Sequence, residues 1–321
     1  MSPDGNWQPQ ASLATLRLRA ALLAEAREFF ARRGFLEVET PILAHAGAAD
    51  AQLAQFALDD PIHGPLFLQT SPEYAMKRLL LAGSGSIYQV TKAFRQGEAG
   101  ARHNPEFTLI EWYGLGYDHK RLIDEACALI RELVPRLVAD TRITRFRDAF
   151  RHVIGVDPID DPTSALCAAA DTLIPSASAL ALTDRDEILD LLMCQAVAPG
   201  FPDDRLTVIT DYPASQAALA RVNTRGLADR FEIYCGAIEL ANGFHEAATH
   251  AEYARRFAAE KQKRRDRGLP PIPTDERLLA ALDQNPLPDC AGVAMGFDRV
   301  LMLAIRAAHI SETITFAIDR A

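Results

Sequence analysis

The stretch Phe94 to Tyr113 constrains the fold most, because it sets two arginines, a histidine, an asparagine and three glutamates between two apolar segments. Buried or half-buried polar groups need partners, and this set is too large for an ordinary strand pair to satisfy without a ligand. Ser86–Phe94 and Phe107–Tyr113 read as strands, which makes Arg95–Glu106 the connection between them.

The elements around this stretch follow from spacing. Leu16, Ala20, Leu23 and Phe30 place Leu13–Arg33 on an amphipathic helix that Gly34 stops. Phe35–Pro41 alternates as a half-exposed strand, and Phe56–Leu68 is a hairpin. Ser71 can cap a helix over Tyr74–Ala82 with Pro72 at its first position. Further helices are expected at Arg121–Leu137 and at Asp184–Ala198, the latter opened by Thr183 with Asp186 three residues on. Later come Glu252–Arg267, a helix from Thr274 to Leu282, and the apolar helix Val300–Ala307. Leu206–Thr210, Phe231–Cys235 and Ile238–Leu240 are strand candidates, with turns at Gly236 and at Asn242-Gly243. Strands outnumber crossover helices and tend to be adjacent, so an α+β fold with helices packed on an antiparallel sheet is expected.

With 321 residues, 49% hydrophobic and 24% charged, the chain can bury one large core or two smaller ones. No apolar run is long enough for a membrane span, and the polar opening Met1–Gln10 gives no secretory signal, so a cytoplasmic protein is expected. Five dispersed cysteines without a C-x-x-C pair argue against a disulfide framework or zinc site. A net charge of −9 speaks against wrapping nucleic acid by its phosphates.

Arg95, Arg102, His103 and Arg299 suit phosphate or carboxylate oxygens, whereas Glu73, Glu232, Glu239 and Glu246 suit magnesium or an ammonium group. Glu232, Glu239 and Glu246 recur at a spacing of seven, which no single strand explains. They converge if the chain doubles back at Gly236 and again at Gly243. Gly292–Gly296 precedes a helix but lacks the Gly-Lys-Ser/Thr ending of a phosphate-binding loop. Its glycines instead suit close backbone approach to a flat ligand.

These residues also match a family. Gly34–Pro41 resembles motif 1 of class II aminoacyl-tRNA synthetases, Phe94–Phe107 resembles motif 2, and Gly296-Phe297-Asp298-Arg299 resembles motif 3. The lysine-specific branch is nearest, through Arg102–Thr108 and Glu239–Phe244. Only about a dozen residues precede Leu13, where such a synthetase carries an anticodon-binding barrel. The chain therefore resembles the stand-alone paralogues that join (R)-β-lysine to elongation factor P, whose pattern includes Thr70–Tyr74, Tyr212–Gln216 and the ending Asp319-Arg320-Ala321. One catalytic domain over 1–321 is expected, with a small helical insertion at about 120–205 and no anticodon-binding domain.

The resemblance implies ATP and Mg2+ as cofactors and Arg95, Glu239 and Arg299 as catalytic residues. Arg95 would meet the α-phosphate and the substrate carboxylate, Arg102 or His103 the outer phosphates, and Arg299 the γ-phosphate. Phe107 would stack on adenine, Glu232 and Glu239 would bind magnesium-ATP, and Gln96, Gly97, Glu98, Asn104, Leu240 and Gly296 complete the ATP set. Ser71, Pro72, Glu73, Tyr113, Asn242, Gly243, Glu246 and Ala294 would line the amino-acid pocket, with Glu73, Tyr113 and Glu246 holding the amino groups. Motif 1 implies a homodimer, and no tRNA is expected as acceptor. Two departures stand out. Gly97 occupies the place of the synthetases' adenine-binding glutamate, with Glu98 next to it, and Ala294 replaces a glycine of lysyl-tRNA synthetases. The alternatives are a truncated synthetase core acting on tRNA, a lysine-binding regulatory paralogue without catalysis, and a ligase of the asparagine-synthetase kind.

Overall fold

The computed structural model describes residues 7–48, 50–137, 139–177, 180 and 182–321. The first six residues of the polar opening segment lie outside the described residues. The main sheet has the order β1 (Leu36–Glu37), β5 (Ile87–Phe94), β6 (Glu106–Leu115), β11 (Cys290–Gly296), β10 (Ile238–His245), β9 (Leu227–Cys235), β8 (Thr207–Pro213), β7 (Arg142–Arg145). Its inner pairs are antiparallel, while β1 joins β5 and β7 joins β8 in parallel. A small sheet, β2 (Leu43–Ala44), β4 (Gly64–Leu68) and β3 (Ala57–Asp60), contains the expected hairpin.

Alternation along the strands divides the main sheet into two faces. On one face Ile110, Trp112, Phe231, Ile233, Val293 and Met295 form a dry core. It is covered by α1 (Leu13–Ala31), α3 (His119–Leu133) and α9 (Phe297–Ile305). Ser12 caps α1 by accepting from Thr15 N at 3.0 Å, and Gly34, at φ 74°, turns the chain away from it. Asp298 locks the layer together: it accepts from Arg19 of α1 at 2.6 Å and from Thr108 N of β6 at 2.8 Å.

The other face is covered only at its two ends. At one end α2 (Glu73–Leu81), α7 (His250–Asp266) and α8 (Glu276–Gln284) pack around Met76, Leu80, Tyr253 and Leu278. At the other, α4 (Phe146–Ile154), α5 (Thr163–Leu173) and α6 (Arg185–Leu192) pack around Phe150, Leu166, Ile188 and Tyr212. The helical block expected at about 120–205 thus divides, because α3 lies in the central core and β7 pairs with the sheet edge.

Several boundaries differ from expectation. Motif 1 yields only a two-residue strand at the sheet edge. The cap of α6 is Asp184, whose carboxylate accepts from Asp186 N and Glu187 N, not Thr183; a carboxylate also suits the positive end of a helix. Helix α2 begins at Glu73 with Pro72 as its cap residue, and Ser71 Oγ accepts from Glu73 N at 3.0 Å. Asn242-Gly243 is not a turn: both residues lie inside β10, opposite Ala294 and Val293 of β11. Gly243 is there for close approach, since a Cβ would come within 2.7 Å of Phe231 Cζ and Val293 Cβ and 2.8 Å of Gly292 O. Gly243→Ala should therefore force β10 from its neighbours and cost about 1–3 kcal/mol by denaturant unfolding.

Candidate active site

The second face carries a polar row across five strands. Gln89 pairs with Glu111, Glu111 with Ala294, Ala294 with Asn242, and Asn242 with Glu232. Glu239 and Glu246 reach the same face through an irregularity. Residues seven apart in a regular strand point to opposite sides, but a register shift between Glu239 and Ala241 inserts one residue and restores their parity. The chain doubles back at Gly236, and a bulge replaces the second turn.

On the α2 side of the row, four ionisable groups meet around a fixed cation. Lys77 Nζ, fully buried, is 2.6 Å from Glu73 Oε1 and 2.6 Å from Glu246 Oε2. Burial alone would lower the Lys77 pKa, but Glu246 and Glu73 outweigh it and hold the ammonium protonated. Glu111 accepts from Ser71 Oγ and from Tyr113 OH, both at 2.8 Å. Burial and the neighbouring Glu73 push its carboxyl up to about 7. Burial pushes Glu246 up to about 8, with Lys77 opposing the rise. Glu246 Oε1 is buried without a hydrogen-bond partner and points at Gly292, where a Cβ would sit 2.7 Å away. That same Cβ would meet the Tyr113 ring at 2.2 Å, so only glycine leaves this corner open. An unpartnered buried carboxylate oxygen in an acidic box is what an ammonium ligand requires.

The far side of the row gathers Arg95 and Arg299 beside Glu98 and Glu239. Arg299, in the first turn of α9, donates to Glu239 O at 2.9 Å and to His103 Nε2 at 2.6 Å. Burial and the Arg299 charge lower the His103 pKa, so the neutral ring accepts that bond. Arg95 Nε is buried with no partner, and its guanidinium lies 5.0 Å from the Phe107 ring centroid and 3.7 Å from Glu98 Oε1. Gly97, at φ 81°, forms the bend that brings Glu98 back beside Arg95. An orphaned guanidinium nitrogen over an aromatic ring fits a nucleotide phosphate and base. Burial and the neighbouring Glu232 raise the Glu239 pKa, which a bound cation would offset.

Some expected residues are placed otherwise. Glu232 accepts from Arg230 at 2.6 Å, from Asn242 at 3.2 Å and from Tyr234, so its oxygens already carry three donors, whereas Glu239 is freer. Asn104 has its amide engaged within the chain by Glu106 O and Ile318 N, which closes the motif 2 loop. Leu240 belongs to the dry core on the reverse face, and Gly243 also faces that side. Arg102 donates to Ala237 O at 2.6 Å, on the turn between β9 and β10. Gln96 enters through its backbone, donating to Ala54 O. Pro72 occupies the N-cap position of α2 without a capping side-chain bond, and Gly296 joins β11 to α9. Lys77, Glu111 and Arg230 were not foreseen. Lys77 sits four residues after Glu73 on α2, a spacing that puts both on one helix face. Glu111 is two residues before Tyr113, hence on its side of β6.

A family model described as tRNA synthetases class II (D, K and N) matches residues 7–320. The chain belongs to this family. It is similar to proteins named elongation factor P–(R)-beta-lysine ligase. That of Vibrio cholerae serotype O1 is 46% identical over 327 residues, spanning 99% of each chain. That of Vibrio parahaemolyticus is 47% identical over 320 residues, 97% of this chain and 98% of the relative. That of Salmonella dublin is 43% identical over 330 residues and the whole of both chains.

Removing the internal cation should be costly: Lys77→Met leaves Glu73 and Glu246 facing each other and should lower stability by about 3–5 kcal/mol in denaturant unfolding. The raised carboxyls also set a pH dependence. Glu111 and Glu246 lose their charge as pH falls through about 7 and 8, so KM for an amine substrate should climb from pH 9 to pH 6 more steeply than KM for ATP.

Proposed function

We propose that the chain activates (R)-β-lysine with ATP and ligates it to a lysine ε-amine of elongation factor P. The observation that carries this reading is the orphaned Glu246 Oε1 in an acidic box at one end of a sheet face whose other end holds the orphaned Arg95 Nε. A diamine with a carboxylate spans such a face, with ammonium groups at Glu73, Glu111, Tyr113 and Glu246 and the carboxylate toward Arg95. The names of the full-length relatives support the choice of substrate and acceptor.

In the first step a carboxylate oxygen of the amino acid bonds to the α-phosphorus of ATP. The bond from that phosphorus to the bridging oxygen breaks, and pyrophosphate leaves. Arg95 and Arg299 stabilise the charge on the phosphates, and His103, whose pKa burial and Arg299 lower, adds a polar contact at the outer end. Glu239, with Glu232 behind it, would hold magnesium, which neutralises phosphate charge when bound. In the second step the acceptor amine attacks the acyl carbon, the carbon–oxygen bond to AMP breaks, the amine proton is lost, and an amide forms. Adenine is assigned to Phe107, with Glu98 standing in for the synthetases' glutamate at the place of Gly97.

Ala294 lies between Glu111 and Asn242 in the polar row. Its methyl shortens the space for an α-amino group beside the carboxylate and so selects β-lysine. A homodimer through motif 1 is part of the same reading; it is supported by the edge position of β1 and the exposure of Leu36. No helix is long and apolar enough to cross a membrane among the described residues; a cytoplasmic location belongs to the proposal through its protein acceptor.

The test is pyrophosphate exchange across α-lysine and both β-lysine enantiomers, followed by AMP release with elongation factor P or tRNA as acceptor. (R)-β-lysine and elongation factor P should give the highest rates. Ala294→Gly should shift the preference toward α-lysine by roughly tenfold or more. Efficient charging of tRNA, or a wild-type preference for α-lysine, would overturn the proposal.

A further inference from the structure

On the reverse face of the sheet, where β10 ends, a second cluster has no part in the reaction above. His119 opens α3, Asp229 lies near the start of β9, and His245 closes β10. Each offers one ligand atom, and the three atoms lie within 4.8 Å of one another. Among the described residues this is the one such group, and it includes neither Glu232 nor Glu239.

The three side chains do not satisfy one another. His245 pairs with Asp289 and not with Asp229 among the described residues. His119 Nδ1 is buried without a hydrogen-bond partner. The other two residues are braced from behind. His245 Nε2 lies 2.9 Å from Asp289 Oδ1, and Asp289 is held in turn by Arg221 at 2.6 Å. Asp229 Oδ1 accepts from Asn223 Nδ2 at 2.8 Å. A carboxylate behind a ligating imidazole, and an amide behind a ligating carboxylate, are the supports that orient metal ligands. Asp118, which caps α3, adds a further negative charge beside His119.

We propose that His119, Asp229 and His245 bind a divalent transition-metal ion of the zinc type, with water completing the coordination. Two imidazoles and one carboxylate favour zinc over magnesium, which takes oxygen ligands. The cysteine spacing has no bearing on this site, which uses none. Three ligands from α3, β9 and β10 would clip the helix to the two strands that carry Glu232 and Glu239. His245 directly precedes Glu246, whose carboxylate faces the opposite side of the sheet. The ion is thus a structural clip behind the amino-acid pocket and stands apart from the magnesium assigned to Glu239.

The test uses the full-length protein stripped with a chelator and titrated with zinc alone, without ATP, by calorimetry, and with cobalt(II) by visible absorption. One zinc per chain should bind, cobalt should give ligand-field bands of a site with nitrogen ligands, and zinc should raise Tm. His119→Ala and His245→Ala should weaken zinc by roughly tenfold or more, and Glu239→Gln should leave it unchanged. His119→Gln, which keeps a polar side chain of similar size, guards against a variant that fails to fold. Equal zinc affinity in wild type and all histidine variants, absence of the cobalt bands, or loss of the site in Glu239→Gln would each overturn the proposal.

Discussion

A strand alternates its side chains between two faces, and the order of this molecule depends on where that alternation is broken. One extra residue between Glu239 and Ala241 sets Glu239 on the same side as Asn242 and Glu246. Without it, one of the two glutamates would point into the dry layer of Phe231, Val293 and Trp112, where an ionised carboxylate is costly. The bulge thus lets one strand present a carboxylate at each end of the same face. Gly243 and Gly292 complete the device by letting the strands and the Tyr113 ring close without a Cβ between them.

Charge on the polar face is balanced locally at each end. Lys77 sits between Glu73 and Glu246, and Arg230 neutralises Glu232 while lying 4.5 Å from the Tyr212 ring centroid. These internal cations keep the carboxylates from repelling one another, yet Glu246 Oε1 and Arg95 Nε remain unpartnered. The unmet groups have opposite sign and lie on opposite sides of the row. That polarity suits a ligand with an ammonium group on one side and anionic groups on the other.

Much of the architecture was legible because local rules dominate it. The β5–β6 pair, the α1 helix ended by Gly34, and the junction of β11 with α9 all follow from alternation, helical spacing or a positive-φ glycine. The motifs drew attention to Arg95, His103, Glu239 and Arg299 because they lie close in sequence to recognisable neighbours, and the structure sets them near one another on the polar face. Lys77 and Glu111 were hidden. A lysine on an amphipathic helix reads as a solvated charge until the helix is docked, and Glu111 reads as one of three glutamates in a charged stretch until its strand has a face.

The sequence by itself determined which residues alternate, where chain reversals such as Gly236 fall, and to which family the motifs point, since these depend on neighbours a few residues apart. The tertiary structure alone decided that Asn242-Gly243 continues a strand, that Glu232 is neutralised by Arg230, and that Asn104 closes a loop. It also brought His119 to Asp229 and His245. Each of these depends on register between strands and on burial, and both are set by packing among segments far apart in the chain.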